Sequence, residues 1–347
     1  MIDLLGLTKS QLVYLMRTWD QPEYRARQIW HWIYRSLVQS PEEMANLPLT
    51  LRSRLVEQCQ IGSCTVLAEQ KSSSGNTDKV LLSLDDGESI EVVLMRYPGR
   101  KTRYTVCVST QVGCAMGCSF CATGQMGFMR QLSTSEIVMQ VVHFQRKLQR
   151  SGGKVSNVVF MGMGEPMLNY DSVLDAIQIL ADDDGLNLGA RRFTISTIGV
   201  IPGILRMAEE KMQVGLAVSL HAATQELREE LLPAAGKWRL DELMDAIRVY
   251  SSSTGRRVTF EWALIHGVND SAEQARALAS LIQDMICHVN LIPLNPTEGY
   301  SKSGTEMQQV EVFQRILEEN HIPTTIRLRR GIEIEAGCGQ LRKKQGA

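Results

Sequence analysis

The sequence predicts an α/β fold, a parallel β-sheet flanked by helices, with a small helical module ahead of it. Three observations point there. From about residue 100 onward, short apolar runs of strand type alternate with longer stretches of helical periodicity, the pattern of parallel strands joined by helical crossovers. The segment ahead of this repeat carries helix-start signals and then a hairpin signal. Three cysteines stand directly after the first strand-like run of the repeat, at a strand end, where α/β folds bind their ligands.

The N-terminal elements follow from capping chemistry. Thr8 with Gln11, and Ser40 with Pro41 and Glu43, are capping-box patterns that open helices. Between them, RQIWHWIYRSL (27–37) spaces its apolar residues as one face of a helix. DKVLLSL, DDGES and IEVVLM then give two strands joined through Asp86-Gly87, a hairpin turn. Residues 1–95 are therefore expected to form an accessory unit, and 96–340 the core.

Within the core the strand candidates are YTVCVS, SNVVFMGM, RFTISTI, GLAVSL, RVTFEWAL, HVNLIPL and TTIRLR. Helical stretches fall after Ser133, near 171–182, 201–212, 240–251, 271–284 and 308–319. Right-handed crossovers between such units leave a doubly wound sheet or a barrel. The number of repeats favours a full or partial barrel, and closure is not readable. A polar tail, Arg342 to Ala347, ends the chain.

Composition narrows the function classes. At 347 residues the chain suits one large core with a smaller appended unit. Lys and Arg total 37 against 38 for Asp and Glu, which excludes a global cationic field, so nucleic acid would have to be met by a local patch. Arg100, Lys101 and Arg103, then Arg191 and Arg192, then Arg327, Arg329 and Arg330 are the candidate clusters. No cationic leader and no membrane-length apolar run is present, which predicts a cytoplasmic protein without a membrane contact. In that reducing setting, eight cysteines with three packed together suggest metal binding or catalysis over structural bridges.

Cys114, Cys118 and Cys121 form a CxxxCxxC. Three thiolates from one loop can ligate three irons of a 4Fe-4S cluster and leave the fourth open to a chelating ligand. A structural zinc site ordinarily needs a fourth ligand, and no suitably spaced CxxC or HxxxH follows. Polar residues recur at the ends of the predicted strands: Gly164 and Glu165, Ser196, Ser219, His221 and Asn295. Any one of them alone reads as a cap or turn former, whereas the set argues for a shared pocket. Cys107, inside the first strand, reads equally as a buried core residue. Cys338, between Gly337 and Gly339 in EAGCGQ, has the backbone freedom of a thiol that approaches a ligand.

The CxxxCxxC spacing resembles that of the radical S-adenosylmethionine (SAM) superfamily. Along nearly its whole length, through YRARQIWHWIYRS, MANLPLTLR, QVGCAMGCSFCATG, FMGMGEP, STIGVIPG, SLHA, GVND, LIPLNP and EAGCGQL, the chain resembles the bacterial radical SAM methyltransferases that modify adenine C2 in ribosomal and transfer RNA. The resemblance implies a (β/α)6 partial barrel, a 4Fe-4S cluster on Cys114, Cys118 and Cys121, and two SAM per turnover. It implies SAM contacts from Gly164, Glu165, Ser196, Ser219, Leu220, His221 and Asn295. Cys338 would carry the methyl group, Cys107 would release the product by forming a transient disulfide with Cys338, and Glu91 would accept a proton. From the residues alone, Glu91 reads as an exposed strand position. The implied substrates are 23S rRNA in its peptidyl-transferase loop and tRNA at the adenine 3′ of the anticodon, with a flavodoxin or ferredoxin as electron donor. The related C8-methylating branch carries alanine where this chain has Pro166, which favours C2. A non-catalytic iron-sulfur RNA-binding module is the rival from another class.

Overall fold

In the computed structural model, which describes residues 1–62, 64–210, 212–327 and 330–342, the N-terminal unit begins with β1 (Ile2–Asp3) and α1 (Lys9–Thr18). Thr8 and Gln11 close the predicted capping box on α1. Then α2 (Tyr24–His31) runs on as a π-helical turn until Leu37, at φ +59°, stops it. Its apolar stripe, Ala26, Ile29, Trp30, Ile33 and Tyr34, is buried. The Ser40 box also forms, but it caps a single 3-10 turn, Pro41–Glu43. Pro48 disfavours helical backbone at Leu47 and so keeps this turn from running on into α3 (Leu49–Gln58), which starts after it; β2 (Cys59–Gln60) pairs with β1.

The sheet has ten strands. β3 (Thr65–Lys71), β4 (Thr77–Ser83), β5 (Ser89–Tyr97) and β6 (Arg103–Cys107) form an antiparallel meander. Next come β7 (Gln111–Gly113), α4 (Ala122–Gln125), β8 (Phe128–Gln131) and α5 (Thr134–Gln149). Parallel units follow: β9 (Asn157–Phe160), α6 (Tyr170–Ala181), β10 (Phe193–Thr197), α7 (Ile201–Glu209) and β11 (Gly215–Ser219). α8 (Gln225–Leu231), α9 (Leu240–Thr254), β12 (Val258–Leu264), α10 (Ala272–Ile282), β13 (Cys287–Pro293), α11 (Met307–Glu319) and β14 (Thr324–Ile326) complete the chain.

β6 and β9 through β14 are parallel, and the sheet stays open between its edges β3 and β14. Six strand-helix units followed by a last strand make the partial barrel, which settles the question of closure. The hairpin assigned by sequence to the accessory unit is continuous with this sheet: Val93 of β5 faces Cys107 of β6. The reason lies in β5, where Ser89 to Met95 are all buried, and a strand buried on both faces needs neighbours on both sides. β3 escaped the sequence reading because every residue of it is exposed, so it carries little periodic signal. Arg329 and the tail from 343 lie outside the described residues.

Gln140 on α5 holds the strand end from which the cysteine loop departs. Fully buried, it accepts from Ser109 N–H (2.7 Å) and donates to the Ser109 carbonyl (2.9 Å). Gln140→Leu would strand both groups away from water, at roughly 1–3 kcal/mol each. Its thermal midpoint should fall well below that of a conservative surface variant on α5, and an unchanged midpoint would remove Gln140 from this role.

Candidate active site

The cysteine loop is shaped by a miniature hairpin. Gly113, at φ +74°, brings the chain so close to its partner strand that a Cβ there would fall 1.9 Å from the Gly127 carbonyl oxygen. Beside it, Cys114 N–H donates to that same carbonyl (2.8 Å). Cys121 N–H donates to the Cys118 carbonyl (3.1 Å) and closes the loop before α4. All three thiols line one cavity of about 150 Å3. Among the described residues, no three His, Cys, Asp or Glu side chains are gathered to enclose a single metal ion; the loop thiols form a wall. Burial pushes all three upward, Cys114 to about 12, so thiolates here require a cationic partner such as iron.

Parallel strands deliver the rest of the cavity from their C-terminal ends. Gly164, Glu165, Ser196, Ser219, His221 and Asn295 all line it. Leu220 does not: the side-chain alternation that turns Ser219 inward sends Leu220 into the main core, and its N–H is taken by the Glu261 carbonyl (3.1 Å). The buried Glu165 carboxylate accepts from Met167 and Ile198 N–H (3.0 and 2.9 Å), while burial lifts its pKa to about 7. His221 Nδ1 accepts from Ala263 N–H (2.9 Å), which assigns the proton of the neutral ring to Nε2. Burial lowers its pKa to about 3.

A second, smaller cavity of about 40 Å3 adjoins the first and is lined by Cys107, Cys338, Tyr97 and Arg330. Cys338, Asn295 and Arg327 belong to both cavities. The eight cysteines are all free thiols. Burial raises Cys107 to about 12, and Arg327 opposes the shift. The Cys338 loop is seated by polar bonds. Asn295 Nδ2 donates to the Cys338 carbonyl (3.1 Å), Ala122 N–H to the Gly339 carbonyl (2.7 Å), and Gln340 Nε2 to the Pro296 carbonyl (3.0 Å).

Glu91 departs from expectation. It is 4 % exposed rather than a solvent-facing strand residue, because its strand is buried on both faces, and it lines neither cavity. Its carboxylate pairs with Lys79 Nζ (2.9 Å). Of the basic clusters, Arg100, Lys101, Arg103, Arg191 and Arg192 are exposed. Arg103 and Arg330 both stand over the Tyr97 ring, 4.2 and 4.6 Å from its centroid, beside the smaller cavity.

Sequence reasoning missed Glu261, Lys79 and Arg228. Glu261 had a signal, a lone acid within the apolar run VTFEWAL. Arg228 had none, because QELREEL reads as a solvated helix. In the structure Arg228 is fully buried, donates through Nη2 to the Ile198 carbonyl, and keeps Nε and Nη1 without partners. Its charge interacts with Cys118, as an anionic iron-sulfur cluster on that loop would require. Glu261 Oε2 and Asn295 Oδ1 are likewise buried acceptors without partners in the cavity wall, ready for a ligand with hydroxyl or ammonium donors. The residues present thus fit both a 4Fe-4S cluster and SAM.

The two buried acid-base groups oppose each other in pH dependence. Between about pH 3 and 6.5 unfolded His221 binds a proton that the folded ring does not, so this group costs stability as pH falls through that window. Folded Glu165 holds a proton between 4.5 and about 7 that the unfolded chain releases, so its contribution is largest below 4.5 and is lost as pH rises to 7. Asparagine tolerates the φ of +59° at position 221. Acidification from pH 7 to 5 should therefore lower the melting temperature of the wild type more than that of His221→Asn; parallel curves would contradict a neutral, buried ring.

Comparison with known proteins agrees with this geometry. Residues 108–279 match the radical SAM superfamily, and residues 2–61 match the ribosomal RNA large subunit methyltransferase N-terminal domain. The chain is 48% identical, over 98% of its length and 94% of the relative's, to the dual-specificity RNA methyltransferase RlmN 1 of Myxococcus xanthus. It is 47% identical, over 99% of both chains, to the ribosomal RNA large subunit methyltransferase N of Nitrosopumilus maritimus. A crystal structure of a radical SAM methyltransferase from Sphaerobacter thermophilus superposes with a TM-score of 0.95 at 46% identity, over 99% of each chain. Full-length likeness in sequence and in fold thus joins the cysteine loop and the paired cavities, and the chain belongs to the RlmN family of dual-specificity radical SAM RNA methyltransferases.

Proposed function

We propose that this chain methylates C2 of adenine in 23S rRNA and in tRNA, using Cys338 as the methyl carrier. The observation that supports this most directly is the dual membership of Cys338, which faces the cluster cysteines in one cavity and Cys107 in the other. Cys114, Cys118 and Cys121 would hold the 4Fe-4S cluster. Glu165, Ser196, Ser219, His221 and Asn295 would surround SAM, with the Glu165 carboxylate toward its ammonium group. When bound, cluster and SAM supply a methyl group from one SAM and a hydrogen-abstracting 5′-deoxyadenosyl radical from a second.

The residues of the chain account for the remaining requirements. Adenine C2 is an electron-poor carbon, so the methyl group is first held on a sulfur close to both cavities. Cys338 loses its proton and forms the S–C bond, with the Arg327 guanidinium beside it in the wall of both cavities. Joining the carbon to the base leaves an adduct that gives up its unpaired electron and the C2 proton, and Cys107 then attacks the Cys338 sulfur as a thiolate. The S–S bond forms as the S–C bond breaks, the bonding pair stays with the carbon, and that carbon takes a proton. A two-electron reduction restores both thiols.

RNA would approach across Arg100, Lys101 and Arg103 and the Tyr97–Arg330 pair, where cations can meet phosphates and an aromatic face can stack a base. Arg191 and Arg192 would extend this phosphate track. The substrates and a flavodoxin or ferredoxin donor assign the enzyme to the cytoplasm. No helix among the described residues is long and apolar enough to cross a membrane.

Three outcomes test the reading. Cys338→Ala should abolish methyl transfer, and retained turnover would remove the carrier. Cys107→Ala should accumulate protein joined covalently to RNA, seen as a shifted band that nuclease digestion collapses; its absence would count against the resolving step. Nucleoside mass spectrometry should find 2-methyladenosine, whereas 8-methyladenosine would reverse the regiochemistry and RNA binding without SAM cleavage would favour a non-catalytic module.

A further inference from the structure

We propose that the buried Lys79–Glu91 ion pair is a clamp on the Cys338 loop, with Lys79 as a positioning residue for that thiol; its mechanistic meaning rests on the carrier role of Cys338. Lys79 lies on β4 and Glu91 on the adjacent β5, where Glu91 faces Leu81. Two residues apart in register, the side chains share one face and meet at 2.9 Å, Lys79 6 % and Glu91 4 % exposed. Each then uses a second bond on the C-terminal loop. Lys79 Nζ donates to the Glu335 carbonyl (3.4 Å), three residues before Cys338. Glu91 Oε2 accepts from Arg342 N–H (2.8 Å), four residues after it. One ion pair grips both flanks of the segment that carries the thiol.

Simple stabilisation does not explain the pair. A buried salt bridge is often matched or exceeded by an apolar pair of similar volume. Leucine and valine surround this one on both strands, so an apolar pair would have packed well. What apolar side chains cannot supply is a donor and an acceptor for two backbone groups of an irregular loop. That loop needs them. After the 3-10 turn at Ile332–Ile334 it contains no further helix or strand among the described residues, and it passes through left-handed backbone at Glu335 (φ +51°) and Gly339 (φ +79°). Of its side chains, Ala336 and Leu341 pack on the main core. The smaller cavity, at about 40 Å3, has room for one or two waters and none for an adenine, so the loop must shift when a base arrives. A clamp of few polar bonds, screened from water, holds the thiol between the cavities and can let go without unfolding the sheet.

Hydrogen exchange read by mass spectrometry tests this on the anaerobic, cluster-loaded holoenzyme. Lys79→Met should speed exchange in the peptide spanning 335–342 by about tenfold, equivalent to roughly 1.4 kcal/mol, with peptides from β12 unchanged. Lys79→Arg should return it to near the wild-type rate. Glu91→Gln keeps an acceptor but loses the charge, should loosen the same peptide, and serves if Lys79→Met does not fold. Unchanged exchange at 335–342 in a folded variant, or equal acceleration across β12, overturns the clamp. Failure of the wild type to methylate RNA would strike the proposed function and leave the exchange result standing.

Discussion

Because β6 and β9 through β14 run in one direction, every loop that follows them starts from the same edge of the sheet. That shared direction is what lets residues as distant in sequence as Cys114, Glu165, His221 and Asn295 face one cavity. It also fixes where the irregular C-terminal segment has to dock. That segment bonds Ala122 beside the cysteine loop, Asn295 and Pro296 past β13, and Glu91 on the antiparallel hairpin. The hairpin is thus more than an extension of the sheet: without β4 and β5 neither flank of Cys338 would have its buried partner.

Electrostatics then divides the two spaces. Around the cysteine loop Glu165 and Glu261 supply the carboxylates, Arg228 is buried close to Cys118, and Arg327 is shared with the smaller cavity. Among the described residues no carboxylate lines the smaller cavity, where Arg327 and Arg330 are the charged groups. A cationic cofactor suits the first space, and a polyanion the second. The separation arises from strand alternation and loop placement, and the net charge of the whole chain, close to zero, contributes nothing to it.

Much of this was legible before any coordinates. The strands after residue 100 and their helices follow from periodicity, since each element buries one face or both in a way that composition records. The three-cysteine loop was legible because its spacing is chemical, and Cys338 because flanking glycines are unusual around a merely structural thiol. Illegible features share another cause. Glu91 and Lys79 look like ordinary charged strand residues until both faces of their strands are covered, and Arg228 looks solvated until the turn after β10, at Ile198 and Gly199, meets its guanidinium. Leu220 was carried into the site by its neighbours in SLH, and alternation removed it. Periodicity reports a residue's own element, whereas burial by a distant element leaves no local trace.

The outermost strand, β3, bears on a different problem, the behaviour of many copies at high concentration. A sheet edge with free amides and carbonyls is a template for another chain to add a strand. Here that edge is irregular, with its register broken by a bulge between Val66 and Ala68, and charged, with Glu69 paired to Lys147 of α5 and Lys71 at its end. The exposed Val66 and Leu67 therefore sit on an irregular, charged border, a form of edge that disfavours the addition of another strand on this side of the sheet.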